Sequence, residues 1–428
     1  MDRVVIDNTA RRKGFGERAF AVGVILLSTG AFANLWFTAE RAVDPRAGVA
    51  LLELFWAATY ICSMLILWRN CRGSFQRLLE EKWILALVGL TLCSAAWSAV
   101  PLVTLRHAIA IAAGCLFSLY VVERFTFNEQ LEILAWAFGL AAVFSFVFGA
   151  FNWGSAVIEV PGWIGIYSHK NVLGRTMAMG ALIFSLLSER LQGGKWVARV
   201  GVASCLTLIV LSQSMTSMVI VLPLLYAKHL FRLTLQGRRG IRRRLWASVL
   251  VASVSIAWVV SDFGRVSELL DRDPTLTGRT VLWAIILPMA MEKPWLGYGY
   301  GGFWLGEEGP SMEVWQLHGF PTANGHNGLL DILLDLGLLG ALITILGFGS
   351  YLRKAFRVFA AERTWDNAWP ILFLTALFLI NLAETDFLAP NVFFWFVYVS
   401  VALQVSERAA ALQAAPVHSN TTTALVPL

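Results

Sequence analysis

The chain is a succession of apolar runs, each close to the roughly 20 residues that an α-helix needs to cross about 30 Å of hydrocarbon. No other feature limits the fold so strongly. Hydrocarbon offers no water to exposed peptide groups, so runs of this length cross it as helices that satisfy their own backbone. The runs occupy residues 19–37, 47–68, 83–100, 105–122, 131–151, 171–188, 197–213, 215–231, 245–261, 326–350, 369–386 and 391–406. They predict an all-α polytopic membrane protein with about 12 transmembrane helices. Composition agrees, since 57% of the 428 residues are hydrophobic and only 14% charged, far from the balance of a soluble domain. The pair around Ser212-Gln213-Ser214-Met215-Thr216-Ser217 reads either as two short helices or as one broken segment.

Basic residues orient the runs. Most of the 34 Lys and Arg residues fall before Ala19, in 69–82, at Arg124, in 190–199, 228–244 and 353–363, and at Arg408. Alternate crossing puts all of these on one side, which the positive-inside tendency makes cytoplasmic. Residues 1–18 then form a cytoplasmic N-terminal segment, 19–261 a bundle of spans 1–9, and 262–325 a long periplasmic loop. Residues 326–406 carry spans 10–12, and 407–428 form a cytoplasmic tail too poor in large apolar residues to order itself. The run Arg238-Arg239-Gly240-Ile241-Arg242-Arg243-Arg244 sits between two spans, so topology and anionic lipid explain it and no nucleic acid partner is expected. None of the five cysteines falls in a predicted outer loop, so no disulfide or thiolate-metal framework follows. The start of the chain is too charged for a cleaved signal peptide, and its first apolar run reads as an uncleaved anchor.

Charge placement points to a site. In this topology every even-numbered span begins at the outer face, and cations gather at those beginnings: Arg46, then Arg106 and His107, then His169, Lys170 and Arg175, then His326. A helix N-terminus already carries about +0.5 charge, so a cation there costs ~0.3–1 kcal/mol unless an anion joins it. Arg279 repeats the pattern at the start of Thr280 to Glu292, a helix too short to span and expected to lie on the membrane. Oriented N–H groups with Arg or Lys make an anion site of diphosphate size. Arg175 lies about one turn inside its span, where an unpaired charge is expensive. Arg46 and Arg106 read more simply as headgroup contacts. Arg265 is a further candidate for substrate contact, although Asp262, Glu268, Asp271 and Asp273 offer it and Arg272 exposed ion pairs. The Asp271-Arg272-Asp273 triplet is too common a pattern to imply a metal, and no cofactor is expected.

His326 stands at the water–membrane boundary, where an imidazole can take a proton from a hydroxyl near neutral pH, and Asn327 is placed to orient substrate or ring. Asn327, Asp331 and Asp335 share one helix face, which favours a role in holding the bundle. The string Trp295 to Trp304 follows neither a helical nor a strand period and reads as a bent loop anchored at the interface.

The segments Gly165-Ile166-Tyr167-Ser168-His169-Lys170-Asn171-Val172-Leu173-Gly174, Ser212 to Ser217, Leu276-Thr277-Gly278-Arg279-Thr280 with Trp283, and Gly325-His326-Asn327-Gly328 together resemble the O-antigen ligase and Wzy polymerase superfamily. Pro294-Trp295-Leu296-Gly297-Tyr298-Gly299, Phe303-Trp304 and Leu330-Asp331 bring the resemblance to its ExoQ-like exopolysaccharide polymerase branch. It covers roughly residues 160–345. The resemblance implies an inverting, metal-independent glycosyltransferase of the bacterial inner membrane, working at the periplasmic face. The implied donor is a glycan linked through diphosphate to undecaprenol, and the acceptor a growing polysaccharide. Arg279 and Arg175 would hold the diphosphate with Lys170 assisting, His326 would serve as general base, and His169 and Asn327 would contact substrate. A flippase and a chain-length regulator are candidate partners in such a system.

Two other readings remain at this stage. A ligase would pass the finished glycan to lipid A core from the same donor site. A lipid-linked glycan flippase or solute transporter would place polar groups near the midplane and inner face, whereas here they crowd the outer boundary.

Overall fold

A computed structural model describes residues 14–32, 50–70, 72–151, 162–190, 195–237 and 279–414. These residues are helical with no strand among them. The order is α1 (Phe15–Ser28), α2 (Ala50–Asn70), α3 (Phe75–Glu80), α4 (Lys82–Cys93), α5 (Pro101–Arg124), α6 (Phe127–Ala150), α7 (Lys170–Arg190), α8 (Lys195–Ser212) and α9 (Met215–Leu235). After residues 238–278, which include the expected span 245–261, come α10 (Arg279–Glu292), α11 (Ser311–His318), α12 (Gly328–Ala361), α13 (Trp365–Asn381) and α14 (Phe393–Ala414). Seven of the described helices are long and apolar enough to cross a membrane: α2, α5, α6, α7, α8, α9 and α12. α1, α4, α13 and α14 occupy four further expected span positions, and α4 is only 12 residues long. The chain is a multi-pass membrane protein.

One pole of the bundle is ringed by charge pairs. Arg124 at the end of α5 holds Glu17 at the start of α1 through two bonds of 2.7 and 2.9 Å. Arg18 reaches Glu129 at 2.9 Å, and Glu129 closes a capping box with Thr126 at the start of α6. Arg190 at the end of α7 pairs with Asp366 at the start of α13. In the Arg124–Glu17 and Arg190–Asp366 pairs an acid lies in a helix's first turn and a base in a last turn, the arrangement helix dipoles favour. The opposite pole gathers the starts of α5, α7, α9 and α12 and the ends of α6, α8 and α13.

α7 is the central post, with 72% of its best apolar window buried against 28% for α2, α8 and α9. Small residues allow this close approach. A Cβ at Gly174 would lie 2.3 Å from Ser217 Oγ, and one at Gly180 would lie 2.8 Å from Cys205 Sγ. The Ser212–Ser217 stretch resolves into two helices, α8 and α9, with Gln213 at φ 53° in the corner between them.

α12 is longer than the expected 326–350 span, and it is broken. Gly337 adopts φ 64°, ψ −163° within it, a conformation open in practice only to glycine. The string Pro294 to Gly299 fills the break. Tyr298 and Gly299 donate their N–H groups to the Leu334 and Asp335 carbonyls at 2.8 and 2.9 Å, while Leu338 and Leu339 donate to the Pro294 and Trp295 carbonyls at 2.7 and 3.2 Å. Each side thus satisfies peptide groups that the other would leave orphaned in a dry interior. This corrects the reading of that string as an interface anchor. Trp295 is exposed, but Tyr298, Tyr300, Phe303 and Trp304 are buried, because the backbone of the string completes a broken helix.

The expected tail shrinks too, as α14 continues to Ala414 and only residues 415–428 lie outside the described part. α13 stops at Asn381, short of the expected end of its span at 386, and frees residues 382–392 as a connecting segment.

Candidate active site

α7 begins at Lys170 and carries Arg175 a turn later, and α10 opens on Arg279 itself. His326 precedes α12 at φ 50°. That left-handed conformation is strained for a residue with a Cβ, and its neighbours hold it there. Asn324 Oδ1 accepts the His326 N–H at 3.0 Å, and Asp331 accepts the Gly325 N–H through both oxygens at 3.0 and 3.1 Å. Trp283 of α10 donates its ring N–H to the Gly325 carbonyl at 2.8 Å. Asp331 also accepts from Trp304 Nε1 at 2.8 Å and from Thr385. The role expected for Asp331, holding the bundle, is seen here in detail: one buried carboxylate ties α12, the 294–304 string, the Gly325 turn and the segment after α13.

The three expected cationic or basic groups converge on a residue that sequence reasoning passed over. Glu384, 4% exposed, meets Arg279 Nη2 through Oε1 at 2.7 Å and Arg175 Nη1 through Oε2 at 3.1 Å. His326 Nδ1 lies 3.4 Å from the same Oε2. Asp386 Oδ2 stands 3.0 Å from Arg175 Nε without hydrogen-bond alignment. Burial opposes ionisation of Glu384, but the His326 contact and the two guanidinium groups outweigh it and bring its carboxyl down to about 2. Burial pushes the Asp386 carboxyl up to about 6, with Arg175 opposing and Glu384 adding. An ionised carboxylate only accepts hydrogen bonds. The contact with Glu384 Oε2 therefore calls for a proton on His326 Nδ1.

The other expected residues fall into place around this centre. His169 lies before α7, its Nδ1 accepting the Asn171 N–H at 3.2 Å. Burial lowers its pKa to about 4, Glu384 opposing and His326, Lys170 and Arg175 adding, so it is neutral at physiological pH. Lys170 opens α7 beside it. Asn327 is the N-cap of α12, its amide oxygen accepting from Leu329 and Leu330 at 3.1 and 3.2 Å, so that oxygen is committed to the helix. Arg265 and the Asp271–Asp273 pair lie outside the described residues. The Ser212–Ser217 corner joins the site through Ser214, which bonds Asn171 at 3.0 Å, and Thr216, 3.5 Å from Arg279 Nη1.

Glu384 and Asp386 left one signal in the sequence: two carboxylates placed inside what reads as an apolar span, where charge needs a partner. Which partner was beyond local pattern. A cleft of about 980 Å³ lies elsewhere, at the charged pole between Glu189, Arg363, Trp365 and Arg408. It touches none of these groups.

Residues 200–345 match the family model described as O-Antigen ligase. The chain is thus similar, over that segment, to the O-antigen ligase family. It is also 24% identical over 342 residues to the exopolysaccharide production protein ExoQ of Rhizobium meliloti (strain 1021), a match covering 76% of this chain and 77% of that protein. The family segment includes Thr216, Arg279 and His326, while Arg175 and Glu384 lie on either side of it. The segment similar to that family thus shares its charged centre with Arg175 and Glu384, which lie beyond it.

Proposed function

We propose that the protein is a polysaccharide polymerase that joins undecaprenyl-diphosphate-linked repeat units at the periplasmic face of the bacterial inner membrane. The observation that carries this reading is the meeting of Arg175, Arg279 and His326 on one buried carboxylate at one pole of the bundle. Two guanidinium groups suit the oxygens of a diphosphate, and an imidazole suits a hydroxyl. The Lys/Arg asymmetry supports an outward-facing pole with both termini inside.

In the proposed reaction the acceptor hydroxyl oxygen attacks the anomeric carbon of the donor from the face opposite the diphosphate. A new C–O bond forms as the bond to phosphate oxygen breaks, so the configuration inverts. The electron pair leaves with the lipid diphosphate, whose added charge Arg175 and Arg279 stabilise, and the hydroxyl proton passes to His326 Nε2. The relative, an exopolysaccharide production protein, favours a polymerase. The description of the family model favours the second reading, a ligase that transfers glycan to lipid A core.

Reconstitution into vesicles with a lipid-diphosphate-linked oligosaccharide separates these readings. Longer chains and released lipid diphosphate without lipid A core are the expected result. Product that forms only when lipid A core is added assigns a ligase, and lipid movement with no new glycosidic bond overturns both.

A further inference from the structure

Glu384 occupies the place where the proposed donor's anion belongs. Its two oxygens bridge Arg279 and Arg175 at 2.7 and 3.1 Å, and its Oε2 holds His326 Nδ1 only at 3.4 Å. The short contacts are with the arginines and the long one is with the base. We infer that Glu384 is a donor-responsive positioning residue: it is the resting counter-ion of Arg175 and Arg279, and an arriving diphosphate displaces it from them onto His326. The inference rests on the proposed donor chemistry and adds an order of events to it.

The groups facing Glu384 make the exchange favourable. Arg175 comes from α7 and Arg279 from α10, while His326 lies on the turn before α12, His169 and Lys170 lie at the start of α7, and Asp386 lies on its own segment. A diphosphate carries more negative charge than one carboxylate and can engage both guanidinium groups at once. Once it does, Glu384 faces a like charge, and the His326 Nδ1–H, 3.4 Å from its Oε2, is the donor already within reach. A shorter Nδ1–H···Oε2 bond fixes the tautomer and strengthens Nε2 as a proton acceptor, as a carboxylate does for an imidazole base. The base is then fully prepared only when the donor is seated, which guards the anomeric centre from attack by a poorly oriented hydroxyl.

The exchange differs in sign from a fixed scaffold. If Glu384 competes with the donor, Glu384→Gln removes the competitor, and inorganic diphosphate binds the purified full chain in detergent about tenfold more tightly than it binds wild type. In the transfer assay the same variant lowers the donor KM and also lowers kcat, by on the order of 10²-fold, because the base loses its partner. Glu384→Asp retains the charge and recovers part of kcat. Nitrogen-15 NMR of histidine-labelled protein reads the tautomer: added diphosphate sharpens the Nδ1–H form of His326 in wild type and leaves it unchanged in Glu384→Gln. Weaker diphosphate binding by Glu384→Gln, or a His326 signal that ignores diphosphate in wild type, overturns the inference. The diphosphate and NMR arms need no glycan transfer. Failure of wild type to release lipid diphosphate from a glycan donor would therefore count against the proposed function, separately from the displacement.

Discussion

Asp331 grips the Gly325 N–H with both carboxylate oxygens, at 3.0 and 3.1 Å, and thereby fixes the residue directly before His326. The proposed base thus sits on a turn whose geometry is set from inside the bundle, by a side chain that itself is 5% exposed. The same carboxylate receives Trp304 and Thr385, so the string that repairs α12 and the segment that carries Glu384 are braced by one group.

Replacing Asp331 with Ala should therefore impair transfer without touching substrate. The Gly325 N–H and Trp304 Nε1 would each lose a buried acceptor, at about 1–3 kcal/mol apiece, and a displaced His326 would cost on the order of 10²-fold in turnover. Thermal unfolding and turnover measured on the same purified sample check this. Turnover equal to wild type would break the link between Asp331 and the base.

Substitution of the reacting groups should separate chemistry from donor capture. His326→Ala is expected to lose ~10²–10⁴-fold in kcat with donor binding kept, whereas Arg279→Ala should weaken diphosphate binding as well as lower kcat by ~10²–10³-fold. Parallel binding and single-turnover assays read the two effects. A His326→Ala protein of full activity would exclude this imidazole as the base.

The helix break predicts glycines that tolerate no side chain. At Gly337 the backbone is in a glycine-only conformation, and an added Cβ would lie 2.3 Å from the Trp295 carbonyl carbon. At Gly297, φ is 65° and the Cβ would lie 2.5 Å from the Asp335 carbonyl carbon. Gly337→Ala and Gly297→Ala should each lose more than the ~1–3 kcal/mol of backbone strain alone, because peptide groups must also move apart. Gly349, with open space around it, is the control: Gly349→Ala should unfold at or above the wild-type temperature.

The two acids of the site should act on stability in opposite directions. Glu384, held down at about 2, contributes stability above the ordinary carboxylate range that is lost as pH falls towards 2. Asp386, raised to about 6 from an ordinary 3.8, binds its proton more tightly folded than unfolded, so its contribution is present at low pH and lost as pH rises through 6. Asp386→Asn should accordingly match wild type below the ordinary 3.8 and exceed it near pH 8, by up to about 3 kcal/mol. Unfolding temperatures across that range test the sign, and a variant that gains nothing at pH 8 contradicts it.

Much of the architecture was legible because it depends on local chemistry. Apolar run length located helices at all of the expected spans that fall within the described residues. Charge at helix beginnings singled out Arg175, Arg279 and His326, since a cation at a positive helix end asks for an anion from elsewhere. Asn327 was also a visible candidate, but its amide oxygen turned out to serve the helix it caps.

What that anion is, the sequence alone did not say. Run length, residue type and periodicity determined a bundle of membrane-length helices with cations at one boundary, because each of those depends on neighbours within a few turns. Only the tertiary structure decided that Glu384, on the segment after α13, answers Arg175 from α7 and Arg279 from α10. It also decided that α12 breaks at Gly337 to admit the Pro294–Gly299 string. Both are pairings between distant parts of the chain, where a buried charge or an unpaired peptide group is too costly to leave alone and the partner is chosen by packing rather than by spacing.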